Sequence, residues 1–295
     1  MKQISRRSFF KFCTVTAAGL GLDPFDIGGL SKALANPTAP TVLWLQGSAC
    51  SGCTMSFLDY ISATAPTDAA DVLINYINLA YHPELAAVAG ESAAAIIQQV
   101  EQSGNFILVL EGGVPTNFNG GACYAWSAGG VDQTFQQAVK DLAARARTIL
   151  CMGTCASFGG IPAAPPNPAG VVSVKTLTGR STINIAGCPP HPAWMVWAIV
   201  QLLQGKTIPL DSSGRPTAIY GTSVHNQCPN RGTTKATTYG VLHHCLLNLG
   251  CRGPQTGANC PIQKWNNGVN WCVGAGSPCL GCTSSSFPGT SSFNQ

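Results

Sequence analysis

Between about residues 40 and 205, short apolar runs alternate with longer stretches of helical character. The apolar runs have the length and content of buried strands, and they span residues 41–45, 72–77, 106–110, 148–152 and 183–186. The stretches rich in Ala, Gln and Leu predict helices over residues 83–101, 131–147 and 192–203. This alternation predicts an α/β fold, a parallel sheet covered on both faces with ligands bound beyond the carboxyl ends of the strands.

Four cysteines follow predicted strands at the ends where such ligands bind. Cys50 and Cys53 come after the first strand, Cys155 after the fourth and Cys188 after the fifth. Because the carboxyl ends of parallel strands share one edge, the four thiols are expected to converge there. Four thiolates suit a tetrahedral zinc ion or a cubane iron–sulfur cluster. A thioredoxin-like interpretation of the Cys-x-x-Cys pair leaves the other two cysteines unexplained.

After about residue 205 the sequence becomes rich in Gly, Pro, Asn, Thr and Cys and loses its apolar periodicity. Such a segment cannot bury an ordinary core, so we expect metal or disulfide bridges to stabilise it. One imidazole and three thiols form its first candidate set: His225, Cys228, Cys245 and Cys251. The set fits a Cys₃His zinc site or an iron–sulfur cluster with a histidine ligand. His243 and His244 compete for the histidine position. The His-x-x-Cys spacing favours His225, because two such side chains can reach one centre from a single turn.

A further set consists of four cysteines within 23 residues: Cys260, Cys272, Cys279 and Cys282. It is a complete ligand set for a [4Fe–4S] cluster or for a Cys₄ zinc site. Spacing alone does not separate the two metals.

The first 35 residues have the pattern of a targeting segment. Residues 5–11 read Ser-Arg-Arg-Ser-Phe-Phe-Lys, an apolar run covers 12–22, and Ala33-Leu34-Ala35 offers a cleavage site. The twin-arginine route exports proteins that are already folded, so this chain is expected to fold in a reducing compartment. There the thiols stay available for metal, which favours clusters over disulfides.

The charge content points to a protein partner. Only 9% of the residues are charged, so much of the surface is expected to be covered by another protein. No run approaches the roughly 18 apolar residues of a spanning helix. Without residues 1–35 the net charge of +4 falls to about +1, which predicts no affinity for nucleic acid or an anionic membrane.

Several motifs in order identify a family resemblance. Residues 153–160 read Gly-Thr-Cys-Ala-Ser-Phe-Gly-Gly, and residues 187–192 read Gly-Cys-Pro-Pro-His-Pro. The His-x-x-Cys pair, a Trp-Asn-x-Gly-x-Asn-Trp run at 265–271 and a final Cys-x-x-Cys follow. With the leader, they cover nearly the whole chain. The sequence resembles the iron–sulfur small subunits of exported, periplasmic [NiFe] and [NiFeSe] uptake hydrogenases.

The resemblance implies a domain plan and three [4Fe–4S] clusters. A twin-arginine signal (1–35) would precede a flavodoxin-like domain (36–205) and a loop-rich, cluster-binding domain (206–295). A proximal cluster would be held by Cys50, Cys53, Cys155 and Cys188. A medial cluster would be held by Cys260, Cys272, Cys279 and Cys282. A distal cluster would be held by His225, Cys228, Cys245 and Cys251.

The same resemblance implies the role of an electron relay. Hydrogen would be oxidised at a nickel–iron site in a partner large subunit, and this chain would supply no catalytic residue. Electrons would pass through the clusters to an external acceptor such as a c-type cytochrome. His191, beside the proximal set, is either a polar contact of that site or an ordinary loop residue.

The chain departs from the family pattern at a few positions. Many members have proline where Cys272 stands, so a fourth thiolate predicts a four-iron medial cluster, as in the selenium-containing subclass. Gly52 and Gly160 occupy the positions of the two extra proximal cysteines of oxygen-tolerant relatives. Ala49 stands immediately before the first cluster cysteine, where the family often has a glutamate. Two cysteines have no assigned role: Cys123 and Cys151.

Two alternatives remain. One is an exported structural or binding protein stabilised by zinc or disulfides, which accounts for the cysteine-rich segment but not for the cysteines after the strands. The other is an electron-transfer subunit of a related quinone-reductase complex. Those relatives share the proximal-cluster domain but lack the second and third cysteine sets.

Overall fold

The computed structural model describes residues 39–289, and the predicted leader lies outside these residues. A five-stranded parallel sheet forms the centre, in the strand order β2-β1-β3-β7-β9. Counted along the chain, this is the 2-1-3-4-5 order of flavodoxin-like folds. Its strands are β1 (Thr41–Gln46), β2 (Asn78–Tyr81), β3 (Phe106–Glu111), β7 (Thr148–Met152) and β9 (Ile183–Ile185). The predicted parallel α/β fold is confirmed.

Alternate residues of the central strands feed two separate cores. One face of β3 contributes Ile107 and Val109 to a core with Trp194 and Met195, whereas Leu108 and Leu110 join the other core. All four strand residues are at most 3% exposed. Both faces are therefore covered, which explains why the central strands are continuous apolar runs rather than alternating ones.

Helices and two small antiparallel sheets complete the N-terminal part. The helices are α1 (Gly52–Leu58), α2 (Ala69–Asp71), α3 (Gly90–Ser103), α4 (Phe135–Arg145), α5 (Gly153–Phe158), α6 (Val174–Thr178) and α7 (Pro192–Leu203). The small sheets pair β4 (Val114–Pro115) with β8 (Val171–Val172), and β5 (Tyr124–Ala128) with β6 (Val131–Thr134).

Local capping overturns the predicted strand at 72–77. Asp68 caps the helix α2 by accepting a hydrogen bond from the Asp71 N–H at 2.7 Å, and a π-helical turn over Val72–Tyr76 continues it. The strand β2 begins only at Asn78. A short apolar run does not by itself distinguish helix from strand.

The predicted helices over 83–101 and 131–147 begin too early. Residues 83–89 form turns, and the Glu84 N–H bonds to His82 Nδ1 at 3.1 Å, so α3 starts at Gly90. Residues 131–134 are a hairpin strand. Thr134 Oγ1 then caps α4 by accepting from the Gln137 N–H at 3.2 Å. The third predicted helix, 192–203, has the predicted bounds.

The region after residue 205 has only short helical turns but shares the core of the sheet. Its helices are α8 (Thr217–Tyr220), α9 (Val224–Gln227) and α10 (Cys260–Gln263), and its 3₁₀ turns are Leu247–Leu249, Gly253–Gln255 and Val273–Ala275. Tyr220, Leu246 and Trp271 lie in one buried cluster with Trp194 of α7. The Tyr220 hydroxyl also donates to the Ala186 carbonyl at 2.8 Å. No helix within residues 39–289 is long and apolar enough to cross a membrane.

Candidate cysteine-ligand sites

The first cysteine set lies at the carboxyl edge of the sheet. The strand order reverses there, because β1 lies between β2 and β3. Such a point is where open α/β sheets bind ligands. Cys50 and Cys53 flank the start of α1, Cys155 lies in α5 directly after β7, and Cys188 follows β9. Burial raises the pKa of Cys53 well above its ordinary value, and the neighbouring Glu111 and the other three cysteines raise it further. The fold thus brings together the four cysteines that the sequence placed at one edge.

Glycines leave the space around these thiols free of side chains. A Cβ built on Gly153 would lie 2.4 Å from Cys53 Sγ, and one on Gly160 would lie 2.8 Å from Cys155 Sγ. Both glycines have positive φ, +88° and +57° respectively, a region that residues with a Cβ rarely adopt. Four thiols with glycines beside them fit an iron–sulfur cluster, because a cluster is bulky and its sulfur atoms accept hydrogen bonds from nearby backbone N–H groups. A cysteine in place of Gly160 would therefore both approach Cys155 Sγ too closely and strain the backbone.

Glu111 is a buried acid directly beneath the first set. It ends β3 and is 1% exposed. Five donors converge on its carboxylate. They are Cys53 N–H (3.0 Å), Thr54 N–H (3.4 Å), Thr54 Oγ1 (2.6 Å), Gln46 Nε2 (3.2 Å) and Trp44 Nε1 (3.3 Å). The carboxylate therefore fixes the start of α1, and with it the Cys53 side chain.

His82 supports this network from the end of β2. Its Nδ1 accepts from the Glu84 N–H, so Nε2 carries the proton and donates to Thr54 Oγ1 at 3.2 Å. The Thr54 hydroxyl in turn donates its own hydrogen bond to Glu111. Burial lowers the pKa of His82 from 6.5 to about 4, partly offset by Glu84. The neutral imidazole is the form that the fold holds.

We predict that His82 makes stability fall on acidification between pH 6.5 and about 4. In this window the unfolded chain takes up a proton that the folded chain refuses, so folding loses up to about 3 kcal/mol as pH falls. Thermal unfolding of the complex at pH 7 and pH 4.5 should show a smaller acid-induced decrease for His82→Gln than for wild type. The exposed His243→Gln is the control and should retain the wild-type decrease. An equal decrease in wild type and His82→Gln would rule out His82 as the source.

The set of Cys260, Cys272, Cys279 and Cys282 is also brought together. Burial raises the pKa of Cys260, and the other three cysteines raise it further. Trp265 contributes a side-chain hydrogen bond to the Cys260 thiol. The loops around α10 therefore gather four thiols without regular secondary structure.

Direct hydrogen bonds connect the first set to this one. The Cys188 backbone N–H bonds to the Cys282 thiol. The Thr154 hydroxyl donates to the Cys282 carbonyl and accepts from the Gly187 N–H at 2.9 Å. Thr154 thus joins the helix α5, which carries Cys155, to the loops that carry Cys188 and Cys282.

The remaining candidate ligand set lines a small cavity. Its walls include His225, Cys228, Cys245 and Cys251, whereas His243 and His244 are not among the described residues that line it. The His244 Nδ1 instead lies 3.0 Å from the Leu242 carbonyl. Of the three candidate histidines, His225 is the one that lines this cavity together with the three cysteines.

This set also adjoins its neighbour. Cys251 lies close enough to Cys272 and Cys279 to raise the pKa of both thiols. The next residue, Arg252, donates its backbone N–H to the Cys279 carbonyl at 2.7 Å. The sets that the resemblance names proximal, medial and distal therefore follow one another in that order through the fold.

Thirteen cysteines lie within residues 39–289, and all have free thiols. In that same part of the chain, no three Cys, His, Asp or Glu side chains form a site for a single metal ion. Cys151 is fully buried on β7, and burial raises the pKa of its thiol to about 12. Cys123 is half-buried beside the β5–β6 hairpin. Neither is coupled to one of the three sets, so both remain unassigned.

His191 has a positioning role. Its Nδ1 caps α7 by accepting from the Ala193 N–H at 3.1 Å, and its Nε2 donates to the Lys264 carbonyl at 2.6 Å. It thereby fastens α7 to the loop after Cys260. Burial lowers the pKa of this histidine. Sequence reasoning did not find Glu111, His82 or Thr154. The available signal for the first was an acid that ends an otherwise apolar strand.

The matches to known proteins cover nearly the whole chain. Residues 50–202 match the family described as NADH ubiquinone oxidoreductase, 20 Kd subunit. Residues 220–294 match the family model for the C-terminal part of the NiFe/NiFeSe hydrogenase small subunit. The chain is 39% identical to the periplasmic [NiFe] hydrogenase small subunit of Solidesulfovibrio fructosivorans, over 96% of this chain and 90% of that protein. It is 34% identical to the periplasmic [NiFeSe] hydrogenase small subunit of Desulfomicrobium baculatum, over 97% and 96%.

A solved structure agrees with these relatives. In the recombinant [NiFeSe] hydrogenase from Desulfovibrio vulgaris Hildenborough, in the oxidized state, one chain matches with a TM-score of 0.81 and 36% identity. The match covers 86% of this chain and 96% of that chain. Full-length relatives, the match after residue 220 and the shared fold lead to one conclusion. The chain belongs to the family of [NiFe] and [NiFeSe] hydrogenase small subunits.

Proposed function

We propose that this chain is the electron relay of a periplasmic uptake hydrogenase. Electrons from H₂ oxidation at the nickel–iron site of a large subunit would cross it to an external acceptor, such as a c-type cytochrome. The observation that carries the proposal is the arrangement of three ligand sets in series, each adjoining the next through backbone or thiol contacts.

Each ligand set would hold one [4Fe–4S] cluster. The proximal ligands would be Cys50, Cys53, Cys155 and Cys188. The medial ligands would be Cys260, Cys272, Cys279 and Cys282. The distal ligands would be His225, Cys228, Cys245 and Cys251. When bound, clusters of this kind exchange one electron at a time at a potential set by ligands, hydrogen bonds and burial.

The chain's own residues would hold the sites rigid and dry. Glu111 fixes the start of α1, Thr154 joins the proximal and medial loops, and His191 ties α7 to the medial loop. Hydrogen bonds from backbone N–H groups and from Trp265 reach the medial thiols. Such contacts favour the thiolate form that metal binding requires.

Export is part of the same proposal. The leader 1–35 would carry the folded subunit through the twin-arginine pathway, and the large subunit would cover part of a surface poor in charge. Membrane association would come from another partner.

The test is anaerobic purification of the chain with its natural partner, followed by analysis of iron, nickel and zinc. We expect about twelve irons on this chain, with nickel and one further iron on the large subunit. Zinc in place of iron, without a nickel-bearing partner, would favour the structural alternative. Iron with a partner that lacks nickel would favour the quinone-reductase alternative.

We predict that Cys272→Pro converts the medial cluster to a three-iron form. The loss of one thiolate ligand should remove about one iron per complex and introduce the electron paramagnetic resonance signal of an oxidised three-iron cluster. Cys151→Ser, at a buried cysteine outside the three sets, is the control and should keep the wild-type iron content. An unchanged four-iron spectrum in Cys272→Pro would remove Cys272 from the ligand list.

A further inference from the structure

The last part of the sequence contains no acidic side chain. Asp211 is the final Asp or Glu of the sequence. Apart from thiols and phenols, the ionisable side chains of residues 212–295 are therefore all Lys, Arg or His. Asp211 itself is bound to Arg215 at 2.9 Å. This part of the chain therefore has a positive field that its own carboxylates do not neutralise.

Part of this charge lies around the distal set. Arg231 lines the cavity that holds the distal ligands, and its backbone N–H bonds to the Cys228 carbonyl at 3.0 Å. Lys235 is paired with Cys245 through a parallel β-bridge. His243 lies just before Cys245 in the chain. Arg231, Lys235 and His243 are all exposed. Within residues 39–289, neither Arg231 nor Lys235 forms a salt bridge.

Exposed apolar side chains lie close to these basic residues in the chain. Tyr239 is 65% exposed, Leu242 is 51% exposed and Leu247 is 38% exposed. Leu247 also lines the distal cavity. Asn230 ties the two segments together by donating its side-chain N–H to the His244 carbonyl at 3.0 Å. We call the six residues Arg231, Lys235, Tyr239, Leu242, His243 and Leu247 the distal surface.

We propose that the distal surface docks a protein electron acceptor whose own docking face is rich in Asp and Glu. Apolar side chains within a charged rim are typical of protein interfaces, and opposite charge steers transient partners together. A lysine-rich face would be repelled here. The inference rests on the proposed relay and specifies its acceptor by surface charge. Each H₂ oxidised in the large subunit yields two protons and two electrons, which reduce two one-electron acceptors.

The test compares two charge forms of one acceptor. The probes are a lysine-rich mitochondrial cytochrome c and the same protein after succinylation of its lysines. Binding of each to the purified complex is measured by biolayer interferometry at low and high ionic strength, and H₂-dependent reduction of each is measured in parallel. At low salt we expect the succinylated form to bind at least about tenfold more tightly and to be reduced faster. The preference should shrink as salt screens the charges.

Charge reversal locates the surface. Arg231→Glu/Lys235→Glu should invert the preference between the two cytochromes. Lys235→Glu alone, which spares the cavity lining, should reduce it. Lys206→Glu is the matched control, because Lys206 is exposed beside Pro40 and Thr148 at the opposite, amino edge of the sheet. It should keep the wild-type preference. Each reduction rate is divided by the benzyl viologen rate of the same preparation at high salt.

The outcomes separate the inference from the function on which it rests. Tighter binding of the unmodified cytochrome, or an unchanged preference in both Glu variants, would overturn the docking surface. Binding to vesicles containing phosphatidylglycerol, lost in the same variants and without preference between the cytochromes, would assign the surface to a membrane instead. If no acceptor, benzyl viologen included, is reduced with H₂, the relay function fails. The binding comparison then still decides the charge of the docking partner.

Discussion

Gly153→Ala is expected to empty the proximal site and to abolish nearly all H₂-dependent electron transfer. The new Cβ would lie 2.4 Å from Cys53 Sγ, a separation that real side chains do not show. The backbone cannot relieve this contact cheaply, because Gly153 has a φ of +88° and its neighbour Thr154 is bonded to the Gly187 carbonyl. Cys53 must move instead, and four-thiolate ligation is lost with it.

Iron analysis of the purified complex checks this expectation. About four irons per complex should be missing, and reduction of benzyl viologen with H₂ should fall by at least about a hundredfold. Gly179→Ala is the matched control. Gly179 also has a positive φ, +68°, but no atom lies within 4 Å of its built Cβ. It carries the backbone strain without the contact. A full iron complement in Gly153→Ala would show that Cys53 is not confined as described.

Glu111→Ala is expected to lower the free energy of unfolding by about 3–5 kcal/mol. The carboxylate accepts from five donors, and their removal from water is compensated only by these bonds. Glu111→Gln keeps the shape but turns an N–H₂ group toward other donors, so it should also destabilise the fold.

The thermal midpoint of the complex measures the loss. For a chain of this size, each kcal/mol corresponds to about 2–4 °C. Glu101→Ala is the control, because Glu101 makes one surface ion pair with Arg145 at 3.7 Å and should cost less than about 1 kcal/mol. A Glu111→Ala midpoint within about one degree of the Glu101→Ala midpoint would contradict the account of Glu111 as the anchor of α1.

The sheet was predictable because its strands are buried on both faces and so appear as uninterrupted apolar runs. Position after a strand then placed Cys50, Cys155 and Cys188 at one edge. The prediction failed where a local cap decided the outcome, as when Asp68 starts a helix immediately before the apolar run at 72–77. Capping depends on the geometry of two or three residues, which periodicity does not record.

The polar supports of the sites were out of reach for a different reason. Glu111 meets donors from strand β1 and from helix α1, which lie up to 67 positions away from it in the chain. Thr154 reaches Cys282 across 128 positions. Such residues acquire their hydrogen-bond partners only in the folded protein. In the sequence, each appears only as an acid or a threonine at the end of a strand.

The core shared by the sheet and the loop-rich region has a consequence for dissection of the chain. Cleavage near residue 205 would leave Trp194 and Met195 uncovered on one product and Tyr220, Leu246 and Trp271 uncovered on the other, and each product would present an apolar face to water. The change in sequence composition near residue 205 therefore does not mark a place where the chain could be divided without exposing the core. We expect fragments cut there to aggregate, and the two parts of this protein to be expressed and to unfold as one piece.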